Sequence, residues 1–386
     1  DLGHDVGMNR LRFGFVSTVA ALALVVPVAA PSFADSVEEV TSPAVEVTEP
    51  GPADESSPLE DPTDPAEPTP TGDPSPAGDP TTAADPTPDG ASAESAATAE
   101  PTADAEWVAV SDLPTMFIEL TDEDPTKNTL EYVHEDKDNE VDATVNLVDP
   151  DDPSHTLTDL AGVFEGRGNF TWGLDKKPYQ LKFKTATEVL GMASARTWIL
   201  LANHADPSLM RNKITYDLAA DFGLDYSPES RFVDLVVNGE YLGNYLLSEK
   251  TEVGTNRVEL ATDGGILTEL DNNYGTDEDT YFYTDESGTI FVLKDSVLDD
   301  DVPLSPELEE AWVDLQDHIN AFEAELYAPD PDWDAIAAMI DVESFIKYYF
   351  VFEATQNPDV RVSSVYFYRD GPSDVLHAGP VWDFDK

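Results

Sequence analysis

Phe232-Val233-Asp234-Leu235-Val236-Val237-Asn238-Gly239-Glu240-Tyr241-Leu242-Gly243-Asn244-Tyr245-Leu246-Leu247 is the stretch that decides the fold class. Two β-prone runs flank Asn238-Gly239, a pair that accepts positive φ at both centres of a two-residue turn. The stretch therefore reads as an antiparallel hairpin. Further strands are expected upstream over 116–120, 130–133 and 143–147, separated by Asp- and Pro-rich turns. In Tyr179-Gln180-Leu181-Lys182-Phe183-Lys184 strict alternation turns Leu181 and Phe183 inward and puts Lys182 and Lys184 on one outer face. A helix is expected over 207–222, with Asp206 as its N-cap, Pro207 in its first turn and Gly223 as its stop. A strand over 265–271 and a hairpin at 285–288 follow. From Ser305 the period changes, and helices are expected over 306–327, 333–340 and 342–355. A β-rich half followed by a helical half is an α+β layout of two lobes with a cleft between them.

The chain has 386 residues, with 79 Asp and Glu against 20 Lys and Arg, for a net charge of -59. A surface this acidic repels phosphate backbones and has no basic stripe to offset the repulsion, so nucleic acid is excluded as a partner. There is no cysteine, which excludes disulfides, thiolate metal sites and a thiol nucleophile. Residues 1–34 carry a secretory layout: Arg10 and Arg12, an apolar run over 13–30, then Ser32-Phe33-Ala34 before Asp35. The alternative is an N-terminal membrane anchor, since the run approaches the length that spans a bilayer. Residues 35–105 are Pro, Ala, Thr, Ser, Asp and Glu with few large apolar side chains, and read as a disordered, self-repelling spacer.

The chemistry is concentrated near the end. Asn357-Pro358-Asp359 forms a polar turn ahead of the alternating run Val365-Tyr366-Phe367-Tyr368. Asp383 and Asp385 stand two residues apart, so in an extended segment their carboxylates share a side. One acid on a loop and an acidic pair nearby suit metal-dependent phosphoryl transfer, in which one carboxylate orients the acceptor hydroxyl and others hold the cation. The plain alternative is two solvated acidic turns in a very acidic protein.

Four ordered segments resemble the motifs of the CotH kinase family, the spore-coat-protein-H-like kinases. They are Arg167-Gly168-Asn169-Phe170-Thr171-Trp172 with Lys176-Lys177-Pro178-Tyr179-Gln180-Leu181-Lys182; the stretch from Trp198 through Asn212; Arg231-Phe232-Val233-Asp234 with Asn238 through Lys250; and Asn357-Pro358-Asp359 with Trp382-Asp383-Phe384-Asp385. The resemblance implies a two-lobed atypical protein-kinase-like fold, with a β-rich N-lobe and a helical C-lobe. It implies an exported kinase that uses ATP with Mg²⁺ or Mn²⁺ to phosphorylate secreted or cell-surface proteins. Residue by residue, Asp359 resembles the catalytic acid, Asp383 the metal-holding acid and Trp382 an aromatic beside the adenine. Lys182 or Lys184 would be the phosphate-binding lysine. Glu249 would lie at the lobe connection and adenine edge. Where many members have a metal-binding Asn, this chain has Ser364, a weaker ligand for a hard cation, and Asp385 would complete the site. The resemblance also implies more C-lobe helices after Lys386, so the 107–386 domain reads as C-terminally incomplete.

Other residues leave their alternatives open. Arg167 is either a phosphate-binding guanidinium or a structural ion-pair partner. Gly166, Gly168 and Gly173 suggest a flexible turn near the phosphates, matching neither a Walker loop nor the usual kinase Gly-rich loop. Arg211 and Asn212 would tie the 207–222 helix to the sheet, and His204 would pack or cap. Asp136-Lys137-Asp138-Asn139-Glu140 and Asp299-Asp300-Asp301 read as solvated acidic loops, since neither has EF-hand spacing. Two other functions compete with the kinase: a non-catalytic surface or coat-binding module of the same fold, and a paired-carboxylate glycoside hydrolase.

Overall fold

The computed structural model describes residues 107–298 and 302–386. The signal-like residues 1–34, the Pro-rich 35–105 and Asp299-Asp300-Asp301 lie outside the described residues.

Seven strands close into a barrel. They are β1 (Thr115–Leu120), β2 (Val141–Val148), β3 (Leu157–Gly166), β4 (Tyr179–Val189), β5 (Met192–Leu201), β6 (Ser230–Val237) and β7 (Glu240–Glu249), in the order β1-β2-β3-β4-β5-β7-β6. Every neighbouring pair is antiparallel except β1 and β6, which run parallel from Thr115↔Asp234 to Ile118↔Val237 and complete the closure. Closure removes the open strand edges that would otherwise template pairing with another chain. The alternation of β4 is as expected: Leu181 and Phe183 are buried, and Lys182 and Lys184 project outward. The Asn238-Gly239 turn has φ of 49° and 78°, and the Asn238 side chain also accepts a hydrogen bond from the Leu120 N–H at 2.9 Å.

A second sheet has the order β12-β11-β8-β10-β9, from β8 (Gly265–Leu270), β9 (Tyr281–Tyr283), β10 (Ile290–Ser296), β11 (Val365–Asp370) and β12 (His377–Ala378). Helices Pro306–Leu326, Trp333–Ala337 and Val342–Thr355 fall between β10 and β11 in the chain. Each is capped at its N-terminus by a side chain, from Ser305, Asp332 and Asp341 respectively, which satisfies backbone N–H groups the first turn leaves unpaired. The longest helix buries Leu308, Trp312, Leu315, Ile319 and Phe322, a stripe at three- and four-residue spacing. That stripe shares one apolar core with Phe291 and Phe367 of the sheet, whereas the barrel encloses a separate core around Trp198, Phe164 and Tyr245.

The expected two-lobed kinase-like fold with a helical C-lobe is overturned. The described residues are mostly β: a closed seven-stranded barrel and a five-stranded sheet. The helical run is an insertion between strands of one sheet, because β11 returns to pair with β8 from Val365↔Leu270 to Asp370↔Gly265. Strand β8 is buried along its whole length. Local periodicity registers the helices and is blind to a strand pairing that spans them.

Two local expectations also change. Residues 130–133 are helical, within Leu130–Glu135, because the Thr129 side chain caps the Tyr132 N–H at 3.1 Å. The helix expected over 207–222 begins at Arg211. Leu209 has a φ of 60°, which cannot continue a right-handed helix, and Asp206 caps the turn before it by accepting from the N–H groups of Ser208 and Arg211, each at 2.9 Å. Among the described residues no helix is long and apolar enough to cross a membrane.

Candidate functional site

The C-terminal acids enter a cleft of about 960 Å³, open to solvent, between one rim of the barrel and the five-stranded sheet. The barrel contributes the 167–171 turn after β3 and Leu201-Ala202-Asn203 after β5. The sheet side contributes Glu269 and Asp271 from the β8 region, Lys294 from β10 and Ser363, Ser364 and Tyr366 around the start of β11. The closing segment contributes Trp382, Asp383, Asp385 and Lys386.

Asp383 and Asp385 come together, although Asp383 has a φ of 61° and the segment is not the extended one the spacing assumed. Asp385 is 5% exposed, and its Oδ1 has no hydrogen-bond partner. Burial and the neighbouring Asp383 charge push Asp385 up to about 7. Burial also raises Asp383, against the opposing pull of the Asp385 hydrogen bond and the Lys386 and Arg167 charges. The Ser364 hydroxyl donates to Asp383 Oδ2 at 3.4 Å, so the three residues assigned to the metal converge. Phe384 between the acids is buried, and its N–H donates to Asn212 Oδ1 at 2.6 Å. Asn212 Nδ2 in turn donates to Asn203 Oδ1 at 2.9 Å. The helix starting at Arg211 is thus tied both to the acidic segment and to the turn just after β5.

Asp359 lies at the rim of this group. Its Oδ2 is 2.8 Å from Lys386 Nζ, and its charge is felt at Asp383. The Asn357 side chain holds the turn from both ends: its Oδ1 accepts the Asp359 N–H at 2.9 Å, and its Nδ2 donates to the Asp383 carbonyl at 3.3 Å.

Arg167 is in the cleft. Its guanidinium lies 5.1 Å from the Trp382 ring centroid, and its buried Nη1 has no hydrogen-bond partner. Burial lowers its pKa, opposed by Tyr366, Tyr216, Asp383 and Glu269 around it. Arginine nevertheless stays charged. Trp382 is buried and stacks on Tyr216, with centroids 5.9 Å apart and planes at 13°.

Lys182 and Lys184 are not brought to the cleft. Both are exposed on the outer barrel face, and Lys184 pairs with Asp142 at 2.6 Å. The lysines that line the cleft are Lys294 and Lys386. Lys294 bridges Glu269 and Glu278, each at 3.3 Å. Burial alone would lower its pKa, and the two carboxylates outweigh that and raise it. Glu249 is likewise elsewhere, in a second pocket, buried against Arg257 at 2.6 Å.

Glu269 is the main residue that sequence reading missed. It is 5% exposed one residue before the end of β8, pairs with Lys294 and accepts the Ser364 N–H at 2.9 Å. The available signal was an acid inside the apolar run Ile266-Leu267-Thr268-Glu269-Leu270, since a carboxylate on a fully buried strand needs partners. Asn203, Ser364 and Asp383 all line the cleft with positive φ, 47°, 62° and 61°. Such strain in residues with a Cβ gathers at functional sites. The Gly166 turn is packed rather than loose, for a Cβ there would lie 2.4 Å from the Trp172 ring. His204 is exposed in its turn.

The residues present fit a divalent cation only in part. Among the described residues no group of three or more acidic or His side chains could hold a metal alone. The Asp383–Asp385 pair with its unpartnered Oδ1 suits a cation whose remaining ligands come from phosphate oxygens and water, the usual Mg²⁺ arrangement.

A family model described as CotH kinase protein matches residues 164–386, more than half of the chain and every cleft residue named above. The chain belongs to the CotH kinase family. It is also 27% identical over 227 residues to the inner spore coat protein H of Bacillus subtilis (strain 168). That similarity covers 57% of this chain and 56% of that protein, so the chain spans little more than half of its relative's length.

Proposed function

We propose that this CotH-family chain is an exported phosphotransferase. It moves the ATP γ-phosphoryl group to Ser or Thr hydroxyls of secreted or cell-surface proteins, with Mg²⁺ or Mn²⁺. The observation that carries this reading is the pairing of opposite needs in one cleft: an acidic pair with an unpartnered buried Oδ1 beside a buried guanidinium with an unpartnered Nη1. A metal–phosphate complex answers both.

In this reading Asp383 and Asp385 hold the cation, with the Ser364 hydroxyl against Asp383. The cation, when bound, neutralises charge on the transferring phosphoryl group. Arg167 and Lys294 bind phosphate oxygens, and the guanidinium supplies a planar fork for them. Asp359, held by Asn357, orients the acceptor hydroxyl and takes its proton. Lys386 holds the Asp359 carboxylate in place until the acceptor arrives, through the 2.8 Å ion pair. Catalysis rests on positioning and electrostatics, with little covalent work for the protein. Glu249, Lys182 and Lys184 have no part in it, being outside the cleft. The secretory layout read in the sequence of residues 1–34 and the coat-protein name of the Bacillus relative support a coat or surface location.

The test is transfer of label from γ-labelled ATP, to itself or to secreted proteins, with Mg²⁺ or Mn²⁺, beside Asp359→Ala. Label in the wild type alone supports the phosphotransferase. No label and no ATP binding by calorimetry would favour a non-catalytic surface-binding module instead.

A further inference from the structure

We infer a second ligand site, for an oxyanion group (carboxylate or phosphate), in the pocket between the 225–228 turn and the 249–259 loop. This pocket of about 640 Å³ is open to solvent, shares no lining residue with the acidic cleft and has Pro380 in its wall.

The loop is built around Arg257. The chain folds back on itself through the Gly254 N–H to the Val258 carbonyl at 3.0 Å and the Val258 N–H to the Glu252 carbonyl at 3.1 Å. Arg257 is carried inward, its side chain 3% exposed, with the guanidinium 5.2 Å from the Trp198 ring centroid. Its Nη1 is fully used: it donates to Glu249 Oε1 at 2.6 Å and to the Asn256 carbonyl at 2.8 Å. Its Nε and Nη2 have no partner. Those two nitrogens form the side-on edge of the guanidinium, the edge that meets two oxygens of a carboxylate or phosphate at once.

Two hydroxyls of the same pocket are in the same condition. Ser227 Oγ and Thr251 Oγ1 are buried without hydrogen-bond partners. Buried polar atoms are normally paired, so four unpartnered atoms on three residues of one pocket call for a common cause. All four can donate to an oxyanion, because Arg nitrogens only donate and hydroxyls donate readily. Lys250 lies at the same pocket with its side chain 40% exposed, able to turn from Glu252, 3.4 Å away, to a bound anion. The acids nearby are already engaged. Glu249 holds Arg257 and also accepts the Glu229 N–H at 2.9 Å. Asp225 accepts from Tyr368 at 3.3 Å, and Glu259 accepts the Asn256 N–H at 2.8 Å.

The test is calorimetric titration of the full chain with inorganic phosphate and, separately, with glutarate. Arg167→Met is included so that binding in the acidic cleft is removed from the reading. Saturable binding that survives Arg167→Met, and falls fivefold or more in Thr251→Val and in Arg257→Lys, is the expected result. Arg257→Lys keeps a cation for Glu249 and removes only the side-on edge. A response to glutarate alone assigns the site to a carboxylate, and to phosphate alone assigns it to a phosphate. Absence of saturable binding by either probe, or binding unchanged in folded Thr251→Val and Arg257→Lys proteins, would overturn the site and leave these atoms to water. The outcome does not depend on whether the acidic cleft transfers phosphate.

Discussion

Ser364 and Glu269, separated by 95 residues, are joined by a 2.9 Å hydrogen bond from the Ser364 N–H to Glu269 Oε1. The bond fixes a residue with positive φ whose hydroxyl reaches Asp383. Glu269 therefore connects the buried strand β8 to the acidic segment, and through Lys294 to the neighbouring strand β10.

Removing that connection should be costly. Glu269→Ala leaves Lys294 without one of its two carboxylates and the Ser364 N–H without its acceptor, in a site that is 5% exposed. Breaking one side of a buried pair costs about 3–5 kcal/mol. Glu269→Gln keeps the acceptor and should cost less than half as much. Denaturant midpoints of the two variants check this, and equal losses would show that the hydrogen bond to Ser364 carries nothing.

Divalent-cation binding should strengthen as pH rises through neutrality. Asp385 is pushed up to about 7 by burial and by Asp383, so below that pH a proton occupies the pair. A cation must displace it, since metal ligands bind deprotonated. Mn²⁺ affinity, followed by calorimetry in the presence of ATP, should rise about tenfold per pH unit from 5.5 to 6.5 and level off above 7.5. A flat profile would remove Asp385 from the site.

Stability should fall in mild acid at a point remote from the cleft. His318 is held with a pKa below its ordinary 6.5 by burial and by Arg369, and its Nε2 donates to the Met339 carbonyl at 2.8 Å. The unfolded chain takes up the proton more readily than the folded one. The His318 contribution is therefore complete above 6.5 and is lost as pH drops below it. Unfolding midpoints at pH 7.5 and 5.5 should differ less in His318→Gln than in the wild type.

How far the sequence could be read depended on the range of each interaction. The Asn238-Gly239 hairpin, the inward Leu181 and Phe183, and the helix Val342–Thr355 are set by neighbours along the chain, and all are where the pattern put them. Asp383 and Asp385 do meet, but not as strand neighbours: the segment belongs to no strand and Asp383 has a φ of 61°, so the spacing rule does not account for their contact. The barrel closure through β1 and β6, and the return of β11 to β8, are pairings between distant segments that leave no period in the sequence. The placement of cations failed for a related reason. Alternation correctly put Lys182 and Lys184 on one face, but which face meets the cleft is decided by barrel curvature and not by spacing. Lys294, at the end of the β-prone run Ile290-Phe291-Val292-Leu293, is the lysine that the sheet turns toward the acids.

That difference gives the most direct comparison. Lys182→Met and Lys184→Met remove charges from the outer barrel wall, where exposed pairs such as Lys184–Asp142 contribute about 0–1 kcal/mol. Neither should change phosphate transfer or ATP affinity by more than about twofold. Lys294→Met removes a cation from the cleft and leaves Glu269 and Glu278 facing the phosphates uncompensated. Its ATP affinity should fall tenfold or more, the loss of about 1.4 kcal/mol expected for one charged contact. Lys294→Arg should recover part of that affinity, which a purely packing role would not allow. Equal activity in Lys294→Met and the wild type, with a loss in Lys182→Met, would return the phosphate-binding role to the outer strand face and require a nucleotide site outside this cleft.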